Sequence, residues 1–148
     1  MNKACQVKTI KVFNKKTLVA KVPQSIGLIL NDMASLNRGQ IICKPRLPQI
    51  NREILCKLFC VYPLKINEPI NFRCITQESC AQIKQIKGIW DSGSLEPKTK
   101  GDLENNDIAE VIIFTEKPIV IESFKGFNAL GRFVLQRNRE ICAVGIIP

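Results

Sequence analysis

The feature that most limits what this chain can become is a rhythm: short, apolar-rich runs of strand length recur roughly every ten residues, separated by turn chemistry, with no convincing amphipathic helix between them. Val7–Phe13 roughly alternates apolar with polar side chains. Asn14-Lys15-Lys16 supplies a turn, and Thr17–Val22 and Ser25–Leu30 follow as further strands, parted by Pro23, which cannot donate to a ladder. Gln40–Cys43, Glu53–Tyr62, Asn71–Ile75, Ala81–Trp90, Ile108–Phe114, Pro118–Glu122, Gly131–Leu135 and Glu140–Ile147 continue the series. The Gln-Ile-Lys repeat in Ala81–Trp90 has a period of three that a helix could use. Its isoleucine enrichment and the flanking Gly93 favour a strand. The pattern predicts an all-β barrel or sandwich.

Pro45 and Pro48 mark the best internal boundary. They divide the chain into residues 1–45 and 46–148, and 148 residues leave room for one medium domain or for one small barrel plus a fragment of another, two full domains being cramped. Asn31-Asp32 and Leu36–Gly39 read as turns in the first part. Glu96–Asn106 is the longest loop, expected to be partly exposed and mobile.

Composition says that the chain folds: 45% of residues are hydrophobic and 24% charged. No apolar run approaches the ~20 residues of a membrane span, and the first residues, Met-Asn-Lys-Ala-Cys, contain no apolar core of a signal peptide. The expected location is the cytoplasm. Seven cysteines, an odd number without a Cys-x-x-Cys pair, in a chain that has no histidine, argue against zinc and for a reducing compartment. Cys56 and Cys60 lie in a strand-like run and are read as buried small hydrophobes.

The net charge of +9 is unevenly spread. Residues 1–87 carry 15 Lys and Arg against 4 Asp and Glu, whereas residues 88–148 carry 7 against 9. A basic first part suits a polyanion, RNA above all, since phosphates reward Lys and Arg without regard to sequence. Lys11, Lys15, Lys16, Lys21, Arg38, Lys44, Arg46 and Arg52 are the candidate contacts with transfer or ribosomal RNA.

Catalytic chemistry is harder to find. There is no Gly-x-x-x-x-Gly-Lys-Ser/Thr loop to cradle phosphate, and Asn14-Lys15-Lys16-Thr17 lacks the aspartate of a guanine-reading element. Without histidine, the usual general base and the common nucleophilic triads are unavailable. Glu104, Asp107 and Glu110 read as a solvated acidic edge, and Phe124, Phe127 and Phe133 as packing aromatics rather than a base-stacking platform. The chain is expected to be non-enzymatic by itself.

The ending is the most specific stretch. Lys117-Pro-Ile-Val-Ile-Glu-Ser-Phe124, then Leu130-Gly-Arg-Phe-Val-Leu135, then Ala143-Val-Gly-Ile-Ile147 resembles, in order and spacing, the close of the third domain in elongation-factor-Tu-like and elongation-factor-1-alpha-like translation GTPases. Val7–Phe13 and Leu36–Cys43 resemble the second half of that family's second domain. The resemblance implies an antiparallel Greek-key barrel preceded by part of another, with GTP and magnesium held only by an N-terminal domain that this sequence does not contain. Within the family it is strongest for the release-factor GTPase and the ribosome-rescue GTPase that works with Pelota. The aminoacyl-tRNA carrier and the GTPase subunit of ATP sulfurylase share the ending more loosely. Gly131–Arg137 is similar to the release-factor GTPase's Gly-Arg-Phe-Thr-Leu-Arg-Asp, with Gln136 and Arg137 in place of Arg and Asp. What the resemblance implies is docking of a class-one release factor or a Pelota-like protein through Arg132, Phe133, Gln136, Arg137 and Arg139.

Overall fold

A computed structural model describes residues 4–31, 36–44, 48–99 and 101–148, and all regular structure among them is strand. The strands are β1 (Val7–Val12), β2 (Lys15–Thr17), β3 (Gly27–Leu30), β4 (Gln49–Cys60), β5 (Ile70–Cys74), β6 (Gln77–Asp91), β7 (Asp107–Ile121), β8 (Arg132–Arg137) and β9 (Glu140–Ile146). The chain divides into two compact units, Met1–Asn37 and Arg38–Pro148. Pro45, Arg46 and the boundary expected there lie outside the described residues, as does Asp32 of the expected turn.

The first unit is a three-stranded antiparallel sheet in the order β2-β1-β3. Its hairpin turns at Phe13 and Asn14, whose φ angles of 45° and 64° are those of a tight turn matched to strand twist. Lys15 and Lys16, expected in that turn, therefore begin β2 instead. The strand expected through Val22 stops at Thr17, because the Thr17 hydroxyl donates to the Val19 carbonyl at 2.8 Å and curls the backbone out of the sheet. No described residue of this unit is buried, and Phe13, Leu18 and Val22 are almost wholly exposed.

Gln40–Cys43 is not a strand, and the second unit is built on six strands that close into a barrel, β4-β7-β6-β5-β8-β9, with β9 returning to β4. Strands β5, β6 and β7 are consecutive neighbours, and β4 lies beside β7, which is a Greek-key order. Alternation explains why the sheet can close. In β4, Ile54, Cys56, Leu58 and Cys60 point inward while Leu55 and Lys57 point out. Phe72, Ile83, Val111, Ile113 and Leu135 fill the interior from the facing strands. The predicted burial of Cys56 and Cys60 is observed.

Two expected strands, Ile108–Phe114 and Pro118–Glu122, are one. β7 runs unbroken from Asp107 to Ile121 because its turn-like centre is a bulge: Arg52 of β4 opposes Thr115–Pro118 between the Asn51–Ile119 and Glu53–Phe114 pairs. Pro118 removes a backbone donor there, and buried side chains replace the missing ladder. The Ser79 hydroxyl accepts the Lys117 N–H at 2.9 Å, and the Thr115 hydroxyl donates to the Lys117 carbonyl at 2.8 Å. Beyond the bulge, the amide of Gln77 accepts the Val120 N–H at 2.8 Å and donates to the Val120 carbonyl at 2.9 Å, acting as one more rung. In sequence the polar residues and proline of Thr115–Pro118 look like a turn, whereas here the buried Gln77, Ser79 and Thr115 side chains satisfy the backbone of a continuous strand.

The Glu96–Asn106 loop is likewise held more firmly than expected. Leu103 is fully buried, and it exchanges backbone hydrogen bonds of 2.9 and 3.0 Å with Leu64. Replacing Gln77 by Leu keeps the volume but strands two backbone groups of Val120. The substitution is expected to destabilise the barrel by about 2 kcal/mol in urea unfolding, more than Glu78→Leu on the exposed face.

Candidate docking face

Two cross-strand rows on the outside of the barrel define the most developed surface. The first runs Arg132 (β8), Ile146 (β9), Lys57 (β4) and Glu110 (β7); the second runs Arg73 (β5), Val134 (β8), Val144 (β9), Phe59 (β4) and Ile108 (β7). Side chains directly opposite one another on a sheet face touch laterally, so the rows make a strip of aliphatic and aromatic surface with Arg132 and Arg73 on one side of β9 and Lys57 on the other. Ile75 and Phe124 extend it, and all of these residues except Glu110 line an open groove of about 980 Å³. Val144 is 42% exposed and Ile146 38%, large values for apolar side chains in the middle of a strand.

Directly beneath, the fold leaves no slack. Phe133 of β8 faces inward, 4% exposed, and stacks on Phe72 with ring centroids 4.8 Å apart. Its ring lies against Gly145 of β9, where an added Cβ would collide with the ring and with the Lys57 carbonyl, so glycine is required for β9 to close on β4. Gly131 is similarly constrained by the Phe124 backbone.

The five expected partner contacts are therefore dispersed. Arg132 is exposed on the groove, whereas Phe133 lines it from the core side. Gln136 accepts a hydrogen bond from Arg73 at 3.1 Å. Arg137 ion-pairs with Glu68, and Arg139 is exposed in the β8–β9 turn at φ 71°. Sequence reasoning did not single out Val144, Ile146, Phe59 and Lys57, since their alternation looked like ordinary strand patterning until register placed them side by side.

Of the expected RNA contacts, Arg46 lies outside the described residues. Lys11 and Lys16 are directly paired across β1 and β2, and Lys15 pairs with Val12. Lys21 is exposed in the first unit; Arg38, Lys44 and Arg52 are exposed in the second. The structure thus brings Lys11 and Lys16 together.

Asp107 is not part of a solvated edge. It is 1% exposed, receives Lys98 Nζ at 2.6 Å and the Glu104 N–H at 2.8 Å, and so fixes the loop that precedes β7. That arrangement is structural, because each carboxylate oxygen takes a donor from the protein's own loop. Burial pushes the Cys60 thiol up to about 12, helped by Asp107 and Cys142, and pushes Cys56 up as well, which makes both poor nucleophiles. Among the described residues no cluster of His, Cys, Asp or Glu could hold a metal ion, and no helix is long and apolar enough to cross a membrane.

The family model described as GTP-eEF1A C-terminal domain-like matches residues 55–148. The chain belongs to that family. The match to this C-terminal domain of the elongation-factor type begins within β4 and runs through β9. Among curated relatives, sulfate adenylyltransferase subunit 1 of Bacteroides fragilis is 29% identical over 98% of this chain and 32% of its own length; that of Bacteroides thetaiotaomicron is 27% identical over 98% and 33%. The subunit 1 of Alteromonas mediterranea is 26% identical over 90% and 29%. The chain therefore spans about a third of the curated relatives it matches. Among solved structures, sup35 complexed with GDP superposes with a TM-score of 0.85 at 13% identity, covering 97% of this chain and 37% of that one. The GMPPNP complex gives 0.86 at 13% identity, covering 99% and 37%. At that identity the likeness is one of fold.

Within the family barrel, Arg137 has taken a structural task. Burial alone would raise Glu68, but its hydrogen bond from Arg137, the Lys65 N–H and the nearby charges hold the carboxyl below its usual 4.5. A carboxylate with a depressed folded value contributes stability above about pH 4.5 and loses it as pH falls through the folded value. Glu68→Gln should therefore lower stability at neutral pH while leaving it nearly unchanged at low pH, which flattens the acid limb of a stability-against-pH curve measured by urea unfolding.

Proposed function

We propose that this chain is a non-catalytic barrel region of a GTPase of the sulfate adenylyltransferase subunit 1 kind, serving to dock another protein rather than to hydrolyse nucleotide. The observation that carries this reading is the likeness to three subunit 1 proteins, at 26–29% identity over 90–98% of the chain. It extends through both units, whereas the likeness to sup35 at 13% concerns the fold. The outer barrel face supports docking: it is apolar, rimmed by cations and free of any group poised for acid–base or nucleophilic work. GTP and magnesium would be held by a GTPase domain elsewhere in the assembly, since no phosphate-cradling loop occurs in this sequence.

A second reading, docking of a class-one release factor or a Pelota-like protein, is favoured by Gly131-Arg132-Phe133, which places Arg132 on the same groove. Arg137 weakens that alternative because it is tied to Glu68. Co-expression separates the two. The full chain, affinity-tagged, should co-purify with the sulfate adenylyltransferase catalytic subunit from the same genome and not with its class-one release factor. Recovery of the release factor alone would replace the first reading by the second.

A further inference from the structure

The groove has a charge pattern that names its occupant. Arg132 and Lys57 flank Ile146 in one row and form no ion pair among the described residues. Glu110, the carboxylate nearest in that row, stands beyond Lys57 on β7 and lies outside ion-pair distance of it. In the second row Arg73 is 3.8 Å from Glu78 and shares Gln136, so its charge is only partly answered. Val134, Val144 and Phe59 lie side by side in the second row, with Ile108 beyond Phe59 on β7, and Ile75 and Phe124 line the same groove. Cations on both sides of the apolar β9 residues, with the Glu110 carboxylate beyond Lys57 and outside ion-pair distance, are complementary to an apolar segment with acidic flanks.

A second, independent feature points to the same place. Ile75 occupies the β5–β6 turn with φ 55° and is 52% exposed. A β-branched residue in the left-handed region is strained, and with about half of its surface exposed Ile75 offsets only part of that strain by burial within this chain. Asparagine or glycine would serve the turn better. What isoleucine adds there is apolar surface on the groove, and strain retained at an exposed position is the mark of a contact made to something else.

We propose that this groove binds a peptide segment of a partner protein, an apolar core of aliphatic and aromatic residues flanked on both sides by Asp or Glu. The core lies along Val144 and Ile146, and its acidic ends meet Arg132 and Arg73 on one margin and Lys57 on the other. The inference rests on the docking role above and adds the chemistry of what is docked. RNA suits this surface less well, because its centre is mostly aliphatic and offers few faces for base stacking.

The test is a titration of the full chain, isotopically labelled, with the synthetic peptide Asp-Glu-Leu-Phe-Ile-Leu-Glu-Asp, its Lys-flanked counterpart, and a uridine oligonucleotide. The acidic peptide is expected to shift amide resonances of β8, β9 and β4 around the groove and to bind about tenfold more tightly than the Lys-flanked one. Val144→Asp, an exposed substitution, should abolish binding with the barrel spectrum intact. Arg132→Glu with Lys57→Glu should invert the preference between the two peptides. Ile75→Asn should weaken the peptide while raising the urea midpoint, a combination that a purely structural role would not produce. Shifts confined to other surfaces, equal binding of both peptides, or the oligonucleotide alone moving these resonances would overturn the proposal. If Val144→Asp still co-purifies with the catalytic subunit, this inference fails and the docking reading stands. If the wild type binds the acidic peptide but not the catalytic subunit, the reverse holds.

Discussion

Closure of β9 onto β4 is the constraint on which the rest of the second unit depends. An open six-stranded sheet would leave two rows of unpaired backbone groups and a core exposed at one side. Closing it requires Lys57–Cys60 and Ala143–Ile146 to approach at a point where the Phe133 ring already occupies the interior. Gly145 makes that possible by having no side chain to place there. The same step sets Ile146 between Arg132 and Lys57 and Val144 between Val134 and Phe59. Core packing and the character of the outer face are thus two consequences of one register.

The two units differ in how far they satisfy themselves. The barrel leaves no buried side-chain polar atom without a partner among the described residues and reuses three buried polar side chains as rungs around the β7 bulge. The sheet of the first unit buries none of its described residues and exposes Phe13, Leu18 and Val22. Isolated small sheets of this kind gain too little from burial to be stable by themselves, and the like-charged pair of Lys11 and Lys16 adds a small repulsion.

Much of this was legible in the sequence, for identifiable reasons. The β-rich run Glu53–Tyr62 gave β4 and the burial of its cysteines by local rules of strand composition, and the barrel ending came from the family resemblance carried by Leu130–Leu135 and Ala143–Ile147. The bulge at Thr115–Pro118 was not legible: a proline and a cluster of polar residues look the same in sequence whether they end a strand or are built into one. The burial of Asp107 was hidden for the same reason, its lysine partner lying nine positions upstream in a loop. The groove depended on which residues face one another across β5, β8, β9 and β4, a long-range property that no single segment encodes.

Amide hydrogen exchange on the intact wild-type chain tests the central claim of closure most directly, strand by strand. The account predicts that amides of Leu58–Cys60 and Ala143–Ile146 exchange as slowly as those of β6 and β7, through opening of the whole barrel, while β1 to β3 exchange far faster. Exchange along β9 and β4 as fast as in β1 to β3 would show that the barrel is not closed and would contradict it.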